Sequence, residues 1–393
     1  VDFGGLKMSK NKKITIIGAG NAGCISALSL LENKYEDSNS NIGEIEIIYD
    51  PEAPIERVGQ ASAVDIHQLM FKMLDMNWFS KNLIKATPKT GIRYKDWGDF
   101  NHNFFHPFHE GNVACHFVPK LLSKAVLDQN HFNVKTIKVD SSDQIDSDFI
   151  IDCRGKPSDM SEYTDVKHPL NSALLCEEDH SGENIYYTGH VATPHGWAFV
   201  IPNVDTISFG YLFNSNITSK AEALKDFRER FLLKNNPTEL SFETYLAKNI
   251  WRDERTILNG NNYCFIEPLE ATSASIYRIV TENLISHIDN FYTKDDVQKN
   301  SEKLFSECAY FVNRHYKFGS KFDTPFWDYA KTLDTPQCAK YEEIIKTIVH
   351  WDNLRLANYN PKPNDNLDLT YGTWYPKNLM NWEANMNNTL TNN

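Results

Sequence analysis

The sequence predicts an α/β fold built on a dinucleotide-binding β-α-β unit, and three observations near its start predict it. An apolar strand, Lys12–Ile17, runs directly into a glycine-rich turn, Gly18-Ala19-Gly20-Asn21-Ala22-Gly23. A helix follows over 24–31, where Ile25, Leu28 and Leu31 recur on one face. After the polar stretch 33–43, a second strand over 44–49 is closed by Asp50.

Each part of that unit has a physical task. The first glycine permits the tight turn, the second lets the backbone approach a pyrophosphate, and the third allows the helix to pack closely on the strand. The helix N-terminus then favours the phosphate charge. Asp50 ends the second strand, where a carboxylate can accept ribose hydroxyls. An ordinary strand-turn-helix of small residues is the plain alternative, and the acidic strand end argues against it. Further along, Phe149–Asp152 reads as a buried strand, and Asp152-Cys153-Arg154-Gly155 has the shape of the strand and turn that stand beside the flavin in large FAD proteins.

The remaining elements read as a helix over 58–82, an aromatic and histidine-rich loop region over 86–118, and a helix over 117–129. Strands follow over 185–189, 197–201 and Thr206–Phe213, then a helix over 220–234. After Pro268 the pattern is mostly helical to about Arg355, and the Asn- and Pro-rich tail after Tyr359 is expected to end in mobile residues. No internal repeat is visible.

Composition narrows the function classes. At 393 residues and 41% hydrophobic the chain can bury a large core, and its net charge of −12 argues against nucleic acid or an anionic membrane as partner. No apolar run reaches the ~18–20 residues that span a bilayer. The opening VDFGGLKMSKNKK lacks a signal-peptide core, with Met8 the expected native start. Seven scattered cysteines without CxxC spacing suggest reduced thiols and a cytoplasmic location. The 23 Phe, 18 Tyr and 8 Trp fit a ring-lined cavity, or simply a large core. His102, His106, His109 and His116 lie close in sequence, but Pro107 breaks a helix that would align them and no carboxylate or thiolate stands at ligand spacing. No metal is expected.

Three strings carry a family resemblance: Ala86-Thr87-Pro88-Lys89-Thr90-Gly91-Ile92 followed by Trp97; Gly196-Trp197-Ala198-Phe199-Val200-Ile201-Pro202; and Phe265-Ile266-Glu267-Pro268-Leu269-Glu270-Ala271-Thr272-Ser273. Shorter ones are Val58-Gly59-Gln60, His106-Pro107-Phe108 and Asp323-Thr324-Pro325-Phe326-Trp327. In this order they resemble the flavin-dependent tryptophan halogenases. The chain looks like a short, divergent member, a phage-type halogenase being one candidate.

The resemblance implies a glutathione-reductase-type, Rossmann-like FAD fold interleaved with a mixed β-sheet substrate region and followed by C-terminal helices. It implies flavin contacts from Gly18, Ala19, Gly20, Asn21, Ala22, Gly23, Asp50, Gly59, Gln60, Ala61, Asn261 and Ala274. Lys89 and Glu270 would be catalytic, and His106, Phe108, Trp197 and Phe199 would line the substrate. From the residues themselves, Ile276, Val280, Leu284 and Ile288 mark a helix starting near 272 with hydroxyl caps and free N–H groups. The resemblance places halide there, at the backbone of Thr272 and Ser273. It further implies that FADH2, supplied by a separate NAD(P)H flavin reductase, and O2 oxidise chloride, bromide or iodide to hypohalous acid. That acid would travel to Lys89 and halogenate a small aromatic substrate. No second GxGxxG is visible for NAD(P)H, in keeping with an external reductant.

The expected segments are 12–95 for the first FAD unit with the lysine loop, 96–118 for substrate-lining aromatics and 119–165 for the continued FAD fold. Residues 166–250 form the strand-rich substrate region, 251–290 the FAD and halide segment, and 291–393 the C-terminal helices and tail. Departures are Phe199 where the family has a second tryptophan, Asn261 where it has aspartate, and Gln60 in place of glutamate. They leave substrate and halide choice open, along with self-association. An FAD-dependent aromatic hydroxylase and an inactive flavin-binding scaffold stay as alternatives.

Overall fold

The computed structural model describes residues 11–55, 58–108, 112–180, 182, 184–333, 343 and 376–387. The expected helical stretch beyond 333 and the tail after Tyr359 otherwise lie outside them.

Lys12–Ile17 is the centre of a five-stranded parallel sheet in the order Thr256–Leu258, Phe149–Asp152, Lys12–Ile17, Ile42–Tyr49, Asn133–Thr136. Its residues Ile14–Ile17 are buried, as a strand covered on both faces must be. Helix α1 (Asn21–Glu36) leaves the glycine turn and is buried through Leu31. It packs between α2 (Val64–Met73), α3 (Pro119–Leu127) and a later helix described below. Close packing there is the task of Gly23: a Cβ would stand 2.0 Å from the Gly18 carbonyl oxygen. Gly18 itself has φ +108°, which favours glycine.

The second layer is a seven-stranded sheet in the order Thr238–Ser241, Ser172–Asp179, Thr206–Phe213, Gly196–Pro202, Thr188–Thr193, Gly91–Lys95, Asn103–Pro107. All its pairings are antiparallel except that of Thr188–Thr193 with Gly91–Lys95. Helix α4 (Lys220–Phe231) packs on it through Ala223 and Phe227 and starts with a capping box from Ser219 and Glu222. Two small sheets join the layers, one of them Gln60–Ala61, Ala114–Phe117 and Thr87–Lys89. Then come α5 (Ser273–Ile288), α6 (Lys294–Phe318), α7 (Pro325–Lys331) and α8 (Pro376–Asn387). The stripe Ile276, Val280, Leu284 and Ile288 is buried as expected.

Three element readings need correction, and the first is the strand expected over 185–189, which stands at Thr188–Thr193. The 86–118 region is not loop but strands, in which alternation does show: Gly91–Lys95 and Asn103–Pro107 turn every second residue inward. Pro88, Gly91 and Pro107 punctuate the run and make it read as irregular. The helix expected over 58–82 shrinks to α2, because Gln60–Ala61 pairs with the strand at 114–117.

Gly23→Ala gains about 1 kcal/mol of helix propensity but forces a Cβ into backbone. The clash outweighs the gain, and urea unfolding should show a net loss of about 1–3 kcal/mol.

Candidate active site

A cavity of about 720 Å³ opens beside the glycine turn and runs inward to Lys89. Asn21 alone of the turn lines it, together with Gly59, Gln60, Ala61, Asn261, Ser273 and Ala274. Gly18, Ala19, Ala22 and Gly23 shape the turn from within. Above Gly20 the space is open: a Cβ there would meet nothing within 4 Å. The Asn21 side-chain oxygen is buried without a hydrogen-bond partner. An open glycine turn with an unpartnered polar atom, at the edge of a cavity that runs on to Lys89, suits a dinucleotide. Asp50 follows its strand as expected but is not on the cavity wall, and its Oδ1 accepts the Glu52 N–H at 2.9 Å. The Asn261 oxygen is 3.5 Å from the Tyr277 hydroxyl.

Lys89 ends the short strand Thr87–Lys89 and is 1% exposed. Its Nζ donates to the Ser62 carbonyl at 3.2 Å and stands 5.3 Å from the centroid of the Phe108 ring. Burial pushes its pKa down to about 8, against the opposing pull of Glu270 and Cys115.

Glu270 lies in the 3₁₀ turn Leu269–Ala271, and both it and Ala271 have left-handed backbone, φ 73° and 55°. Non-glycine residues there are strained by roughly 1–3 kcal/mol each. The Glu270 side chain is 3% exposed. Its Oε1 accepts the Tyr94 hydroxyl and stands 3.1 Å from His315 Nε2. Burial alone would raise the Glu270 pKa. The hydrogen bond and charge of His315, the charge of His106 and the Tyr94 hydroxyl outweigh it and hold the carboxyl well below its ordinary range.

Helix α5 starts at Ser273, close to the expected position, but the expected hydroxyl capping is absent. Thr272 already has helical φ −73° and ψ −25°, whereas a capping side chain needs extended backbone to reach back over the first turn. The Thr272 hydroxyl oxygen is instead buried without a partner.

The expected substrate residues divide. Phe199 lines the cavity, its ring lying over Gly210. Trp197 does not line it. It is fully buried, and its indole N–H donates to Glu267 Oε2 at 2.7 Å, so it anchors the sheet to the Glu267–Ser273 segment. His106 is buried off the cavity wall beside Asn381 of α8, and Phe108 covers Lys89. His102 and His116 turn to different partners, the Trp97 carbonyl and the hydroxyls of Thr87 and Thr188. His109 is outside the described residues. Among the described residues no group of three or more His, Cys, Asp or Glu is arranged to hold a metal.

Three polar residues at the site escape sequence reading. Tyr94 lies two residues beyond Ile92 on the same strand face, a signal that alternation could have supplied. Glu267 is buried against Trp197, the Tyr316 hydroxyl and His168, whose Nε2 is 3.2 Å from Oε1. His315 carries no local signal.

A glycine-turned parallel sheet, a mixed sheet over it, and a cavity joining the turn to a buried lysine form the architecture of the Rossmann-like, FAD-dependent halogenases. The tryptophan halogenase family model matches residues 13–119 and 115–353, and the chain belongs to that family. It is 24% identical to tryptophan 7-halogenase RebH of Lentzea aerocolonigenes over 220 residues, 51% of this chain and 41% of that protein. It is also 24% identical to tryptophan 6-halogenase ThaL of Streptomyces albogriseolus over 311 residues, 74% of this chain and 54% of that one. The chain thus spans about half the length of these curated relatives. The solved structure of BrvH, a flavin-dependent halogenase from Brevundimonas sp. BAL3, shares the fold with a TM-score of 0.72 at 19% identity, covering 86% of this chain and 84% of that one.

The buried lysine has a stability signature. Its folded pKa of about 8 lies below the ordinary 10.5, so the unfolded chain binds the extra proton between these values and wild-type stability rises with pH across that window. Lys89→Met removes the penalty. It should be more stable than wild type below pH 8, by on the order of 3 kcal/mol, with the advantage fading towards pH 10.5. Chemical unfolding across the range measures it.

Proposed function

We propose that this chain is a flavin-dependent halogenase of electron-rich aromatic compounds. The carrying observation is that Lys89 and Glu270 are buried within electrostatic reach of one another, with Lys89 on a cavity that begins at the glycine turn. The turn Gly18–Gly23, the Gly59-Gln60-Ala61 segment, Asn261 and Ala274 would hold the cofactor. Reduced FAD, when bound, supplies with O2 the oxidation of halide to hypohalous acid. Its electrons would come from a separate NAD(P)H flavin reductase. On this reading 12–95, 119–165 and 251–290 serve the flavin, 96–118 and 166–250 the substrate, and 291–393 are the C-terminal helices and tail. The six described cysteines are free, which goes with a cytoplasmic location.

Halide would sit at the backbone of Thr272 and Ser273. The first turn of α5 has no side-chain cap, and a helix N-terminus favours an anion. The unpartnered Thr272 hydroxyl adds a donor. Lys89 receives the hypohalous acid, as an ammonium that hydrogen-bonds it or as a neutral amine that takes the halogen; a pKa of about 8 keeps both forms accessible near neutrality. In the hydrogen-bonded course the O–X bond breaks as the C–X bond forms. The departing hydroxide takes a proton from Lys89 and leaves as water. The arene then loses its C–H proton to Glu270, from which Lys89 regains its own. Phe199 on the cavity wall and Phe108 over Lys89 are the candidate substrate wall, with His106 buried away from the cavity.

The test is mass spectrometry of indoles, phenols and anilines incubated with the protein, FAD, a reductase, NADH, O2 and each halide. Wild type should give halogenated products, Lys89→Ala none, and Glu270→Gln a rate lower by about 10²–10⁴. Equal halogenation by Lys89→Ala would remove the lysine from the mechanism.

A further inference from the structure

We propose that Tyr94 and His315 are positioning residues that share one proton with Glu270 and keep its carboxylate ionised and fixed in direction, ready for the proton the arene releases. This rests on the halogenase reading above.

The argument is a count of hydrogens. His315 Nδ1 is 2.8 Å from the Phe311 carbonyl oxygen, which can only accept, so Nδ1 carries a hydrogen. Three atoms remain in mutual contact: the Tyr94 hydroxyl oxygen, His315 Nε2 and Glu270 Oε1. Nε2 lies 3.0 Å from the Tyr94 oxygen and 3.1 Å from Oε1. With a neutral ring and an ionised carboxylate, only the tyrosine hydroxyl hydrogen serves all three contacts. Two lone pairs would then face each other across 3.1 Å in the interior, which is costly in a medium of low dielectric. One further proton on Nε2 resolves this. Tyr94 and the ring then both donate to Oε1, and the ring charge balances the carboxylate.

The surroundings favour that placement. The side chains of Tyr94 and His315 are fully buried, and Trp382 packs on the His315 ring with centroids 4.3 Å apart. Among the described residues, the other titratable groups near Glu270 are Lys89 from the strand at 87–89, His106 from the strand at 103–107 and His190 from the strand at 188–193. Burial pushes all three towards their neutral forms. On α6, the neighbouring Arg314 is committed to Glu383 of α8. Among the described residues, His315 touches the carboxylate and can carry its counter-charge.

During substitution the arene C–H bond breaks and its proton passes to Glu270, while both donors stay directed at Oε1. The proton then returns to Lys89, so none is gained or lost over the cycle beyond the water formed.

Two measurements test this. In the full chain without cofactor, with 15N-labelled histidine, the His315 ring should carry protons on both nitrogens at pH 7, and Glu270→Gln should convert it to the neutral Nδ1–H form. A neutral His315 in wild type would overturn the proposal, and this readout is independent of halogenation. In turnover, loss of the counter-charge raises the Glu270 pKa, so the base form disappears at a higher pH. His315→Gln should move the acid limb of kcat upward by about 1–3 pH units. Tyr94→Phe, which keeps the ring, should move it in the same direction by less, with KM for the arene unchanged. Acid limbs that stay in place in both variants would also overturn it. If wild type halogenates nothing, the functional reading fails while the nitrogen shifts still decide on the shared proton.

Discussion

Two carboxylates three residues apart, Glu267 and Glu270, are both buried, and the site is organised around satisfying them. Their side chains are 0% and 3% exposed. A carboxylate in the interior costs several kcal/mol unless donors replace its water, so each recruits its own set from distant chain. Glu267 takes the Trp197 indole and the Tyr316 hydroxyl, and Glu270 takes Tyr94 and His315. The two sets meet on α6, where His315 and Tyr316 are consecutive and so point about 100° apart. One helix turn serves both acids, and through them the strands at 91–95 and 196–202 are fixed to the Glu267–Ser273 segment.

That arrangement explains the strained backbone. The chain turns sharply at the second acid, where Glu270 and Ala271 take left-handed conformation as Glu270 reaches Tyr94 and His315. The strain is offset by the donors it makes reachable. The reversal also directs the start of α5 towards the cavity: Ser273 and Ala274 lie on its wall, and Thr272 enters the helix with its hydroxyl unengaged. Geometry demanded by one acid thus determines what the neighbouring helix end presents.

Local features were legible in the sequence and long-range ones were not. The glycine turn, its flanking strands and the α5 stripe follow from steric and periodic rules that act within a few residues. Lys89 and Glu270 stood out through the strings around them. Tyr94 and His315 did not, for different reasons. Tyr94 looks like any aromatic on an alternating strand, and its hydroxyl matters only because Glu270 folds onto it. His315 lies on α6, where every residue from Glu307 to Tyr316 is buried, so no face distinguishes it. The family resemblance implies Trp197 as substrate wall; its N–H has the larger consequence, since it serves Glu267. Asp50 shows the converse, a residue that sits where the rule expects it, with one oxygen given to its own turn.

Donors hold Glu270 ionised against burial, while the same burial pushes the other nearby imidazoles towards their neutral forms. His106 and His116 are pushed down by burial, and His190 is pushed down to about 3, so near neutral pH these rings are neutral dipoles. Lys89 lies within electrostatic reach of Glu270. Desolvation pushes Lys89 down to about 8, and the charge of Glu270 pulls it upward against that. Whatever sets the charge on Glu270 therefore also sets the fraction of Lys89 that is ammonium. His315 and Tyr94, far from Lys89 in the chain, thus bear on the lysine through the carboxylate they hold.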